Sequence, residues 1–344
     1  MDLSTVDALK VSVPAIVSLV VALIAMVTSF ANSRKVATSN EKLAALTSSL
    51  RDEESTRDAR RDYEYEALKR LYTECEPLLF QFFELAEDAE SRVRGLARDC
   101  RRGNLRPDGA GWLADEGYYF NSTAYRFFAP IAAIRILQRR LTAVDLALDS
   151  RLKTQYRLLR MLYRSMTEDQ SLAQRSPRLP YEPDRADQEE PDRESLIATR
   201  PETYVRQGMY RGTLDRLVDA MIIRERDLER VMSFGEFLQF KQDGKSQLCL
   251  VMPEVKLLLL GFHPLARPVL WRVLVAQKLI YDALSASRDV GGAGPDDIPS
   301  LIPVSTDEYL ATLDWRQNQS EAHDETVESA MTVARTHIVD RVQA

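Results

Sequence analysis

Residues 11–31 read VSVPAIVSLVVALIAMVTSFA, 21 residues without a charge. At about 1.5 Å of rise per residue this run makes a helix of roughly 30 Å, the hydrocarbon thickness of a bilayer. It begins after Lys10 and stops at Asn32, Ser33, Arg34 and Lys35. A cleaved signal peptide has a basic start, an apolar run of about 7–15 residues and an A-x-A-like exit. Here Asp2 and Asp7 oppose Lys10, the apolar run is longer, and Ser29, Phe30, Ala31 and Asn32 lack that exit spacing. The segment reads as a retained transmembrane helix. Pro14 falls in its first turn, where a missing N–H does little harm.

Direction follows from the basic residues. Only Lys10 precedes the span, whereas Arg34, Lys35, Lys42 and Arg51 follow it. The positive-inside rule places residues 1–10 outside and the remainder in the cytoplasm, which makes this a single-pass protein of the cell (inner) membrane. The other partner expected from this segment is the lipid bilayer itself.

The remaining chain is long enough for one large or two small domains. A net charge of −6 argues against a nucleic-acid-binding body. Cys75, Cys100 and Cys249 are odd in number and far apart, so they give neither a disulfide framework nor a zinc site. They suit a reducing compartment. Two N-x-[ST] triplets, at Asn121 and Asn318, carry no meaning on the cytoplasmic side.

Periodicity gives a mainly α fold: the membrane helix, a helical stalk over 32–76, and a bundle-like multi-helix domain. In the stalk, Val36, Leu43, Leu46 and Leu50 make a short heptad seam, a route to a homo-oligomer. Glu53, Arg57 and Arg60 then occupy the next seam positions. A first helical half spans 77–172. Pro77 is expected to kink or restart the helix, residues 101–117 to form a loop, Asn121 or Ser122 to cap a helix, and Pro130 to interrupt it. Thr142 with Asp145 reads as a weak capping box.

Residues 173–201 contain five prolines, and 182–194 hold seven acids against two arginines. This reads as a disordered acidic linker. A second helical half spans 202–287, with Thr213 as a cap and 234–245 as a helix end and turn. Residues 248–281 are apolar but broken by Pro253, Glu254, Lys256, Pro264 and Arg267, so they read as core helices and not a second span. A Gly/Pro linker covers 288–304. Helices over 305–344 follow, with Ser305 and Glu308 as a capping box. No alternating β pattern stands out.

Catalytic motifs are absent from the sequence. Gly244-Lys245-Ser246 ends like a P-loop, but the position that needs glycine is Gln239. With three histidines no metal site is expected, and no cofactor is implied. His263, followed by Arg267 and Arg272, is a weak candidate for chemistry and reads first as a hydrogen-bonded turn residue. Tyr118, Tyr119, Phe120, Tyr125, Phe127 and Phe128 read as core.

One electrostatic feature is unusual. Residues 126–166 hold nine basic residues and two acids. Arg139, Lys153, Arg157, Arg160 and Arg164 are the anion-contact candidates. The last four step by four, three and four along one helical stripe. Four readings stay open: a solvated face, a surface for anionic lipid, a site for a phosphate-bearing ligand or nucleic acid, and a seat for the acidic 182–194 stretch. The functional expectation is a non-enzymatic scaffold or sensor working through protein partners, with anion binding by the stripe as the alternative and an enzyme with an unfamiliar site third. The orientation is testable. A fluorescent protein fused after Ala344 fluoresces and alkaline phosphatase fused there is inactive; the opposite pair of results overturns the orientation.

Overall fold

The computed structural model describes residues 4–141, 146–175, 178–188, 192–226, 228–289, 295–303 and 321–343. The chain is mainly helical and forms two compact units, Met1–Glu66 and Ala67–Ala344. Helix α1, Ser4–Arg101, contributes to both.

In the first unit α1 holds one stretch long and apolar enough to cross a membrane. Every side chain from residue 17 to 63 is exposed. Within the apolar run, Thr28 Oγ1 donates to the Ile24 carbonyl at 2.7 Å. Ser33 Oγ does the same to Ser29 at 2.6 Å. The Thr28 hydroxyl, inside the run, and the Ser33 hydroxyl, just beyond it, are thus satisfied within the helix.

The second unit starts earlier than the expected stalk end, since Leu71 is already buried. Leu71, Cys75, Phe82, Ala89, Val93 and Leu96 form the buried face of α1, at the spacing the sequence gives. The helix continues through Pro77 without a restart, one of the two outcomes expected there. Pro130 likewise lies inside α2, Tyr118–Arg140. An interior proline costs about 3 kcal/mol or more. Around Pro130 the fully buried Phe127, Phe128, Ile131 and Ile134 supply enough apolar burial to offset it. Helix α2 starts after Gly117, ahead of Asn121 and Ser122. Those two side chains donate instead to the carbonyls of Glu116 and Tyr119. The 101–117 loop is pinned, because Glu116 pairs with Lys241 at 2.8 Å and Lys256 at 2.6 Å.

Helix α3, Ser150–Ser165, is capped by Asp149, whose Oδ1 accepts from Leu152 N at 2.9 Å. The Thr142–Asp145 and Ser305–Glu308 pairs lie outside the described residues. Four short helices follow: α4 (Asp169–Ala173), α5 (Pro183–Gln188), α6 (Arg193–Thr199) and α7 (Pro201–Tyr204). The disordered-linker reading is therefore corrected for its described residues. Pro183 and Pro201 stand at helix starts, where proline is tolerated, and do not forbid regular structure. Tyr181 is buried, donates to Asp169 and accepts from Gln207 N at 2.8 Å.

Helix α8, Arg211–Ala220, begins ahead of Thr213. A hairpin that the sequence reading missed comes next: β1 (Ile222–Glu225) pairs antiparallel with β2 (Leu228–Val231). Its charged composition hides it. Arg224 faces Glu229 across the ladder, and their side chains pair at 3.0 Å. The expected turn at 234–245 is largely helix α9, Phe234–Gln242, held by a capping box between Ser233 and Glu236. Helix α10, Gln247–Leu259, is capped by Ser246 and contains Pro253.

Helix α11, Pro268–Asp289, lies at the centre. It packs against α3, α4, α12 (Ile298–Leu301) and α13 (Glu321–Gln343). Polar groups tie it to the first half. Gln277 Nε2 donates to Ser165 Oγ at 3.1 Å, and Gln155 Nε2 donates to Ser287 Oγ at 3.3 Å. The two expected halves thus share one core. Leu274→Ala is expected to cost about 2–5 kcal/mol. Hydrogen exchange of the variant should show faster opening of α3 and α11 together; faster exchange of α11 alone contradicts a shared core.

Candidate anion-binding site

Helix α3 sorts its residues by face. Leu152, Leu158, Leu159 and Leu162 are buried, while Arg157, Arg160 and Arg164 are exposed and Lys153 is half-buried. The Asp149 cap fixes the helix start, and the buried leucines fix its rotation. The arginine stripe therefore points outward. Helix α13 runs beside it. Arg157, Arg160, Met161, Arg164, Arg341 and Val342 line one open groove of about 250 Å³. The sequence reading did not include Arg341, which comes from a helix more than 170 residues away along the chain. Its only local signal was a position next to Val342 in a three/four-spaced helix.

Beneath the groove lies a charged network. Glu168 takes Arg341 Nη2 on Oε1 at 3.1 Å and His337 Nε2 on Oε2 at 2.8 Å. His337 Nδ1 accepts from Arg175 Nε at 3.2 Å, and Arg175 Nη1 pairs with Asp340 at 2.7 Å. With Nδ1 accepting, Nε2 carries the proton and donates to Glu168. Burial raises the Glu168 carboxyl, but the His337 hydrogen bond and the charges of Arg341 and Arg164 outweigh it and hold the pKa below the ordinary value. Glu168 thus engages Arg341 and acts on Arg164. Among the described residues no carboxylate pairs with Arg157 or Arg160.

The structure divides the other basic residues from this site. Arg139 Nη2 binds Asp219 at 2.6 Å and Arg139 Nη1 binds Glu229 at 3.0 Å. Arg135 also reaches Asp219, at 3.4 Å, and Arg140 reaches Glu74 at 3.7 Å. These residues fasten α2 to α8, the hairpin and α1. Arg139 is therefore a structural tie and leaves the candidate set. The seat for the acidic stretch is not formed by its described residues either. Asp184 pairs with Arg206, and Glu182 with Arg185 at 3.6 Å.

His263, Arg267 and Arg272 are buried. His263 Nδ1 accepts from Leu265 N at 3.2 Å, the turn role expected of it. Arg267 Nη1 donates to the Leu257 carbonyl at 2.8 Å, and Arg272 Nη1 donates to that of Leu172 at 2.6 Å. Both arginines serve carbonyls near helix C-terminal ends. Burial lowers each to about 10. Ser246, the last residue of the GKS triplet, is a helix cap that follows α9 and not a strand. The core reading of the aromatic cluster holds for Phe120, Phe127 and Phe128, which are fully buried, and in part for the half-buried Tyr119 and Tyr125. Tyr125 OH donates to Met232 O at 2.8 Å. The reading is corrected for Tyr118, which is 71 % exposed. Among the described residues no group of histidine, cysteine and carboxylate side chains is placed to hold a metal.

Compared with family models, with curated proteins and with solved structures, the chain matches none of them.

Burial lowers the His263 pKa from 6.5 to about 4, with Asp108 opposing weakly. Between those values the unfolded chain binds a proton that the native chain does not. The stabilisation from a neutral His263 is complete above pH 6.5 and is lost as pH falls towards 4. His263→Asn keeps an acceptor for Leu265 N and should flatten the stability profile over that window; an unchanged slope in acid-unfolding measurements contradicts this account.

Proposed function

We propose that this is a single-pass membrane protein whose helical domain, on the cytoplasmic side, binds an anionic partner and catalyses no reaction. The observation that carries this reading is the groove where Arg157, Arg160, Arg164 and Arg341 converge. Four guanidinium groups on two packed helices make a concentrated positive field on a chain of net charge −6. Guanidinium groups suit phosphate and carboxylate oxygens, which they hold through paired hydrogen bonds. The groove is open, and its volume of about 250 Å³ leaves room for a headgroup or a free phosphorylated molecule. A basic residue near an anionic surface contributes about 1 kcal/mol.

A second reading is a protein scaffold. Glu76, Phe80, Phe83, Arg151 and Arg288 line another groove of about 650 Å³, and Phe80 is 67 % exposed there. An exposed aromatic beside charged side chains suits a protein surface.

The test is purification of full-length protein in mild detergent, with mass spectrometry of the lipids, nucleotides and proteins that accompany it. Wild type and Arg157→Glu/Arg160→Glu are compared, with circular dichroism to confirm equal folding. Reversal of two charges at about 1 kcal/mol each or more should weaken anion retention by tenfold or more. The same protein partners with both forms and no anionic species with either favours the scaffold.

A further inference from the structure

We infer that the ligand of the arginine groove is a phosphate-bearing amphiphile drawn from a bilayer, with its phosphate on Arg157 and Arg160 and the start of its hydrocarbon chain in a cleft between α3, α11 and α13. This rests on the anion-binding reading of the groove and names its ligand class. The cleft opens beside the groove and shares its rim, because Met161, Arg164 and Arg341 line both. From there it reaches down to the central helix. Ala276 and Ile280 of α11 and Ile338 of α13 form its walls, each 1 % exposed.

The polar groups in those walls are already partnered. Ser165 Oγ donates to the Leu162 carbonyl at 2.7 Å and accepts from Gln277 Nε2 at 3.1 Å. His337 lies between Glu168 and Arg175, and Glu168 between His337 and Arg341. What the cleft leaves short of close contacts is therefore hydrocarbon, on Met161, Ala276, Ile280 and Ile338. The rim is the reverse. Among the described residues no carboxylate pairs with Arg157 or Arg160, so their guanidinium donors are open to an anion. A cationic rim over an apolar cleft complements an acidic headgroup over a hydrocarbon chain. A free phosphate or sugar phosphate would engage the rim alone and leave the cleft unfilled.

The cleft is narrow, about 30 Å³ against about 250 Å³ for the groove. Met161 stands where the two meet and is half-buried. Methionine is unbranched and adapts its shape readily, so turning it aside joins cleft and groove and admits the chain. The supply is the bilayer to which the apolar stretch of α1 tethers the domain in the same reading.

Calorimetric titration tests this with full-length protein in phosphatidylcholine nanodiscs, with empty discs subtracted. The probes are glycerol phosphate, octanoyl lysophosphatidate and uncharged monooctanoylglycerol. Octanoyl lysophosphatidate should bind at least tenfold more tightly than glycerol phosphate, since burial of two methylenes is worth about tenfold. Met161→Trp should bring the ratio of those two affinities near one, and Met161→Ala should raise it; circular dichroism checks that both variants fold. Arg157→Glu/Arg160→Glu should weaken both phosphorylated probes together. Equal affinity of wild type for the two phosphorylated probes, with both lost on charge reversal, overturns the cleft and leaves the groove reading standing. A ratio that neither Met161 substitution moves also overturns the cleft. Monooctanoylglycerol bound as tightly as the lysophosphatidate overturns the phosphate's part. Lysophosphatidate binding that survives charge reversal, or no binding of any probe, overturns the groove reading and this inference with it.

Discussion

Burial of helix α11 on every side is the constraint on which the folded unit depends. Leu270, Val273, Leu274, Leu279, Ile280 and Ala283 are all out of contact with water. A helix apolar all round has to be enclosed, and α3, α4, α12 and α13 enclose it. Enclosure favours an internal partner for the polar groups on α11, and several of them find one. Gln207 accepts from Val269 N at 2.7 Å and Leu270 N at 3.1 Å, which satisfies the free donors of the first turn. Arg272 reaches the Leu172 carbonyl, Gln277 reaches Ser165, and Lys278 sits between Asp282 at 2.6 Å and Glu90 at 3.3 Å. These bonds fix the helices around α11 in rotation as well as position.

That rotation explains the arginine groove. Helix α3 presents its leucines and Gln155 to the core, so its lysine and arginines turn the other way. Helix α13 packs on α11 through Ala330, Ala334 and Ile338, which brings Arg341 alongside Arg164. Glu168 and His337 then sit below the joint and hold Arg341 in place. A single buried helix thus decides where charges from two distant parts of the chain meet.

The sequence made the helices legible where burial is one-sided. Leu71 to Leu96, the buried face of α3 and the start of α11 at Pro268 follow from three/four spacing and from proline's fixed φ. It was less informative wherever a tertiary contact decides the outcome. Pro77 and Pro130 look like breaks, yet helix continues through both, for Pro130 because the surrounding side chains are buried. Residues 178–188 look too polar and proline-rich to order, yet Tyr181 finds Asp169 and Gln207 and packs with Ala173 and Val269. The β1–β2 hairpin has no alternating apolar run, and charged cross-strand pairs replace it. One local signal was simply overlooked: Ser233 and Glu236 stand at capping-box spacing before an apolar helix.

Arg139 and Arg157 show the limit most clearly. Both are arginines in a basic stretch on an amphipathic helix, and nothing within a turn of either separates them. The difference is 80 residues away. Asp219 and Glu229 come to Arg139 because α8 and the hairpin pack on α2. Arg157 faces out from α3 at the joint with α13, and the acid brought there, Glu168, engages Arg341 and His337. A half-buried guanidinium held by two carboxylates is neutralised and oriented, and ligand binding there would first have to break both bonds. An exposed guanidinium keeps its donors in water, where an incoming phosphate or carboxylate replaces solvent at far lower cost. The same residue type in the same kind of helix is thus a fastening in one place and, in the function proposed, a binding surface in the other, and the long-range fold alone sets the two apart.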